Sequence, residues 1–196
     1  MRADAVERRT RLLEAGREMF ADLGYDVPLE SIAERAGVGI ATLYRNFPTR
    51  ADLKVALMED GLTRSRRTLE VLLGEVDADP GHALAQLSSM FVSLRLGALI
   101  PIIVRDIDVL PEHLIAERRA NLVMVGEVID RAKAKGVVRE DLTALDFFAG
   151  LAMISRPQPA LAADPMVAGT TSVTALTQRV LTIFLAGLRP DGKMLP

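Results

Sequence analysis

The sequence contains no cysteine. Disulfides, thiolate catalysis and Cys-based metal sites are excluded, and a reducing cytoplasm is the natural setting. Aromatic residues make up only 4%, although 49% of the chain is hydrophobic. The core must therefore be built mainly from Leu, Ala, Val, Ile and Met, a composition that favours helices. Long apolar runs are missing as well. The longest, residues 91–104, is interrupted by Arg95 and Pro101. It falls short of the ~20 residues that span a bilayer, so no membrane partner is expected. The N-terminus has no apolar h-region, and no signal peptide is expected. A global basic field is absent too: formal net charge is −2, and residues 1–60 hold nine Arg/Lys against eleven Asp/Glu.

No enzyme is expected, because no catalytic constellation can be assembled. The two histidines, His82 and His113, lie far apart without ligand spacing, so no metal and no cofactor are expected. Gly37-Val38-Gly39 begins like a dinucleotide fingerprint, but Thr42 stands at the next required position and a helical pattern precedes it. No G-x-S-x-G nucleophile motif or P-loop occurs.

What is present is one dense stretch, SIAERAGVGIATLYRNFPTRAD, at residues 31–52. Ala33 is small where two helices must meet. Gly37 suits a left-handed turn after the first helix. Ile32, Ala36, Val38 and Leu43 point into a shared core, Gly39 can cap the second helix, and Pro48 stops it after Phe47. These signals read as a helix-turn-helix, which implies DNA binding. Residues 35–54 carry Arg35, Arg45, Arg50 and Lys54 against Asp52, and Arg2, Arg8, Arg9 and Arg11 form a second basic cluster. DNA affinity would come from these placed cations rather than from net charge.

The remaining pattern is all-α. The first helix covers residues 4–23, and the second runs from Pro28 to Ala36 after a connection at Tyr25, Asp26 and Val27. The third spans residues 40–47. A fourth, capped by Thr49 with Asp52, runs to about Asp60. An amphipathic helix from Gly61 ends near Gly74. Asp79 and Pro80 open another, which Pro101 kinks or ends. Pro111 starts a long helix to about Lys135, with Ile115, Leu122, Val125, Ile129 and Ala132 on its buried side. Thr143 with Asp146 caps a helix carrying Leu145, Phe148, Leu151 and Ala152. Residues 156–171 read as a loop or hinge, and the last helix covers about 172–188.

The run GYDVPLESIAERAGVGIATLYRNFPTRADL, residues 24–53, resembles the DNA-binding domain of the TetR/AcrR-type transcriptional regulators. The resemblance covers roughly residues 8–60. It implies a three-helix DNA-binding domain, residues 1–60, joined by a fourth helix to a larger helical ligand-binding and dimerisation domain, residues 61–196. It also implies a cytoplasmic homodimer, a double-stranded operator, and a largely apolar small-molecule effector that releases the protein from a palindromic site. Carried onto matching positions, Ile40, Ala41 and Thr42 enter the major groove. Tyr44 and Arg45 lie along it, while Asn46 either touches DNA or caps its own helix. Arg50 binds phosphate with help from Lys54. Pro28 and Leu29 depart from the Thr/Ser usual at the start of the second helix, so a hydroxyl contact to phosphate is missing there. Arg45 can pair bidentately with guanine, whereas Ile40 and Ala41 offer only apolar contact. Leu62, Phe91, Leu94, Ile102, Ile103, Leu122, Met153 and Ile154 are the candidates for the ligand pocket, although each reads first as ordinary core. Arg95 and Arg105 either meet an acidic ligand group or snorkel to the surface. Phe147, Leu151, Val180 and Phe184 are the candidates for the dimer interface. The alternative is a helical protein-interaction module without DNA binding.

Overall fold

The computed structural model describes residues 2–24, 26–105, 110–156 and 163–190, apart from the side chains of residues 2, 3, 101, 103, 104 and 168. Every regular element among them is a helix. Helix α1 (Arg2–Leu23) buries Leu12, Ala15 and Phe20. It ends where Gly24, at φ +84°, donates its N–H to the Phe20 carbonyl at 3.0 Å. Of the expected connection, Tyr25 lies outside the described residues. Helix α2 (Leu29–Arg35) and helix α3 (Ile40–Asn46) follow. Pro28 is the N-cap of α2 rather than its first residue.

Helix α4 (Arg50–Glu75) opens on a reciprocal cap. Asp52 N–H donates to Thr49 Oγ1 at 3.1 Å, and Thr49 N–H donates to Asp52 Oδ2 at 2.9 Å. The end expected near Asp60 does not occur, and the 60/61 boundary falls inside one helix of 26 residues, about 39 Å long at 1.5 Å per residue. Gly61 costs only about 1 kcal/mol relative to alanine. Packing on both sides of it outweighs that: Leu53, Ala56 and Leu57 enter one core, Leu69 and Leu72 another.

Helix α5 (Pro80–Ser93) is capped by Asp79, whose carboxylate accepts the His82 N–H at 2.9 Å. Its end is set before Pro101, at Arg95, which adopts φ +54° and donates its N–H to the Val92 carbonyl. Helix α6 (Leu96–Val104) then runs through Pro101, so the proline neither ends α5 nor separates the two helices. The Arg95 side chain is ion-paired with Asp22 of α1.

Helix α7 (Glu112–Ala134) lies along α4. Its buried positions are Leu114, Asn121, Val125, Val128, Ile129 and Ala132. Leu122, expected on this face, is 42% exposed, and Ile115 is half-buried. The Asn121 amide takes the inward position and donates to the Leu62 carbonyl of α4 at 3.0 Å. Helix α8 (Ala144–Ile154) carries the expected Thr143–Asp146 cap, but Leu145 is exposed and Phe147 is buried in its place. The presumed loop at 156–171 contains a short helix, α9 (Pro165–Ala168), while Pro157 and Pro159 lie outside the described residues. Helix α10 (Val173–Gly187) closes the described chain.

Two apolar cores result. The head core joins α1 to the first half of α4 and includes Ile32, Leu43 and Phe47. The body core gathers α4, α5, α7, α8 and α10 around Leu69, Leu87, Phe91, Ile129, Phe147 and Leu181. Ala98, Leu99 and Ile102 of α6 belong to the head core, although they lie well beyond residue 60.

Candidate nucleic-acid interface

The joint between α2 and α3 holds the recognition surface in place. At Gly37, φ is +67°. Its N–H donates to the Glu34 carbonyl, and the Val38 N–H donates to the Ala33 carbonyl, both at 3.0 Å. This paired closure requires a left-handed residue at the Gly37 position, where a Cβ would be strained. Gly39 caps α3 with an extended backbone and no side-chain bond.

Helix α3 divides by face. Leu43 and Phe47 are fully buried beneath it, while Ala41, Tyr44 and Arg45 are exposed. Ile40 is only half-exposed and packs against the head core, so it offers less apolar surface to a groove than expected. Thr42 is half-buried. Asn46, the last residue of α3, donates its side-chain amide back to the Thr42 carbonyl at 2.8 Å, while Phe47 is the C-cap. Arg45 lies back along α3, its Nε on the Ala41 carbonyl at 3.1 Å and its Nη2 on Thr42 Oγ1 at 3.0 Å. Both bonds are exposed, so exchanging them for bonds to a base edge costs little.

The expected cations are distributed less generously. Arg50 stands at the first turn of α4, with its guanidinium 5.9 Å from the centre of the Phe20 ring. Lys54 is only 8% exposed, because one turn further along α4 enters its packing against α1; it does not present a surface cation. Arg35 is directed to Glu18, with Nε and Nη2 on the same oxygen at 3.1 and 2.8 Å. Arg9 lies 4.6 Å from the centre of the Phe47 ring and ties α1 to the end of α3. Ala5, Arg8, Thr42, Arg45 and Asn46 line a groove of about 430 Å³. Nothing in the spacing of Arg8 and Arg45 announces that proximity.

A family model described as the tetR family of bacterial regulatory proteins matches residues 12–57, and one described as the C-terminal domain of SbtR-like transcriptional regulators matches residues 79–190. The second match alone covers more than half of the chain. The chain belongs to the TetR family. A TetR transcriptional regulator from Streptomyces coelicolor is 30% identical, with 93% of this chain and 99% of that one covered and a TM-score of 0.63. The TetR-like regulator LfrR of Mycobacterium smegmatis, solved in complex with proflavine, shares the fold at a TM-score of 0.67 and 18% identity, over 97% of this chain and 98% of that one. An HTH-type transcriptional regulator of Staphylococcus aureus is 39% identical over 54 residues, which is 27% of this chain and 29% of that protein. These TetR-family matches are regulators, not enzymes. No described helix is long and apolar enough to cross a membrane.

The positions expected to line a ligand pocket do not converge on one site. Phe91 and Leu94 lie in the body core, where Phe91 meets Phe148 edge-to-face at 5.1 Å. Ile102 lies in the head core. Leu62 and Ile154 are half-buried, Met153 is 73% exposed, and Leu122 faces out. The side chain of Ile103 lies outside those described. Arg95 is committed to Asp22, not directed toward an internal acidic group. The dimer positions divide too. Phe147 and Leu151 are 1% exposed, within the body core of the chain itself. Phe184 packs on Phe147 at 6.2 Å between ring centres, and only Val180 is open. Leu145, Met153 and Ile183 point outward on the same two helices, α8 and α10.

Proposed function

We propose that the protein is a ligand-responsive transcriptional repressor that binds a palindromic operator as a cytoplasmic homodimer. The observation that carries this reading is the geometry of α3. Leu43 and Phe47 anchor it, while Ala41, Tyr44 and Arg45 project from its outer face. Arg50 stands beside it at a capped helix start, suited to hold phosphate while Arg45 reads a base. Homodimerisation is supported by the exposed apolar side chains of α8 and α10, among them Ile183 at 70% exposure.

Regulation follows from connectivity. Two recognition helices must sit about 34–36 Å apart to enter successive major grooves. Helix α4 runs unbroken from Arg50 into the body core, and Asp60 at its middle is paired with Arg17 of α1. Helix α6 is inserted in the head core and reaches the same α1 through Arg95. A largely apolar effector that prefers a body with these helices displaced would separate the heads from their half-sites. The extent of release is limited by that preference. The proflavine complex of LfrR supports a small-molecule effector.

The test is selection of bound duplexes from a random pool, followed by titration of the selected duplex against salt. Binding should weaken steeply with salt, and Arg50→Ala should reduce the log–log slope by about 0.9 per subunit. A flat salt response, or an unchanged slope in Arg50→Ala, would count decisively against phosphate-mediated binding.

A further inference from the structure

We infer that Asn121 of α7 is the polar anchor of the effector: its Oδ1 accepts a hydrogen bond from an O–H or N–H of an otherwise apolar small molecule. This rests on the ligand-responsive reading and names the chemistry that such an effector must carry. Asn121 is only 7% exposed. Its Nδ2 donates to the Leu62 carbonyl of α4 at 3.0 Å. Its Oδ1 is buried too, and makes no hydrogen bond to any described residue. A buried acceptor left without a donor is costly, and nearly all such groups in folded proteins are met by protein, water or ligand. The satisfied half of this amide fixes the direction of the other half. Turning it over would set Oδ1 against the Leu62 carbonyl, two acceptors face to face.

The surroundings sharpen the assignment. Leu114, two turns before Asn121, and Val125, one turn after it, share its face of α7 and are buried. An apolar side chain at 121 would continue that stripe, so packing alone does not account for an amide. The seam between α4 and α7 is also open at this level. Arg118, between Leu114 and Asn121 on the same face, is exposed, and Gly61 and Leu62 of α4 are only half-buried. Leu62 lies on α4 between Leu57 of the head core and Leu69 of the body core. A molecule held by Asn121 therefore bears on the stretch of α4 that joins the two cores. One donor on an apolar body is the complement of this place: the donor meets Oδ1, and the body lies against aliphatic side chains.

The experiment uses the full chain and two matched pairs of probes, indole with 1-methylindole and 2-naphthol with 2-methoxynaphthalene. The first of each pair donates an N–H or O–H, and the second carries methyl in place of that hydrogen. The chain has no tryptophan, so probe fluorescence reports binding directly. Wild type should bind each donor more tightly than its methylated partner. In Asn121→Leu, which keeps the branched shape without the acceptor, the ratio of the two dissociation constants should shift about fivefold against the donor. Asn121→Ala should show the same shift without added bulk. Without probe, Asn121→Leu should melt at or above wild type, because the unpaired acceptor is gone. A ratio unchanged in both variants overturns the inference, as does a wild type that binds none of the four probes or prefers the methylated partners. Melting of both variants far below wild type also overturns it, by assigning the amide to the packing of α4 on α7. Asn121-dependent binding that leaves affinity for the selected duplex unaltered upholds the contact and removes the ligand-responsive reading. Binding that releases the duplex with an unchanged ratio removes only the inference.

Discussion

Replacing Gly97 by alanine should loosen the head from the body, and the size of the effect can be worked from two glycines in different surroundings. In an open helix interior, alanine is favoured over glycine by about 1 kcal/mol. Gly61 of α4 is such a site, since a Cβ added there meets nothing within 4 Å. At Gly97 in the first turn of α6, the added Cβ would stand 2.5 Å from the Ala152 carbonyl oxygen and 2.9 Å from the Ser155 carbonyl carbon, and against Ser155 Oγ. Ser155 can rotate its hydroxyl away, but the Ala152 carbonyl belongs to the backbone of α8. Helix α6 must therefore retreat. Overpacking of this kind costs about 1–3 kcal/mol, and a backbone obstacle places it near the top of that range. Offset by the gain in helix propensity, the net loss for Gly97→Ala is about 2 kcal/mol, against a gain of about 1 kcal/mol for Gly61→Ala. For a chain of this size, 1 kcal/mol moves Tm by about 2–4 °C. Thermal melts at fixed protein concentration should show Gly97→Ala about 4–8 °C below wild type and Gly61→Ala slightly above it. Because α6 carries Ala98, Leu99 and Ile102 into the head core, duplex affinity should fall in Gly97→Ala and hold in Gly61→Ala. Gly97→Ala melting at or above wild type would refute the close approach of α6 to α8.

Two further outcomes follow from charged side chains. Asp60→Ala leaves the buried Arg17 guanidinium without its carboxylate; because Asp60 is partly exposed, the cost should be about 2–3 kcal/mol, at or below the low end for broken buried pairs. In urea unfolding the double variant Arg17→Met/Asp60→Ala should recover most of it, and no recovery would show that the loss arises elsewhere. Asp146 is held below the usual carboxylate range, first by the Thr143 hydroxyl and then by the Thr143 N–H. The unfolded chain therefore binds the proton more readily, so this contribution is complete above pH ~4 and disappears as pH falls through the depressed value. Asp146→Asn should flatten the acid limb of stability below pH ~4, and an acid limb identical to wild type would show that the cap does not titrate.

Much of the chain was legible because its signals are local. Gly37, the Thr49–Asp52 and Thr143–Asp146 caps, and Asp79 before Pro80 each act within a few residues of backbone. Their hydrogen bonds depend on nothing distant, so composition and spacing suffice to place them. The helix-turn-helix follows from such signals together with helical periodicity, and the outward positions of Ala41, Tyr44 and Arg45 follow from the family resemblance. The breaks in α4 and α5 were misplaced for the opposite reason. Gly61 is a weak local breaker overridden by two cores, and the break after α5 falls at Arg95, a residue type that does not announce a positive φ. Periodicity also does not state which face meets which neighbour, so by sequence alone Leu122 and Leu145 read as inward and Phe147 as outward.

What the sequence by itself determined, then, is the recognition module and the helices that follow it. What only the tertiary structure decided is which charges remain for DNA. Arg35 meets Glu18, Lys54 is buried in α4, and Arg8 of α1 lines one groove with Arg45 of α3. Each of these depends on segments far apart in sequence being brought together, and no local hydrogen bond or helical period encodes such a meeting.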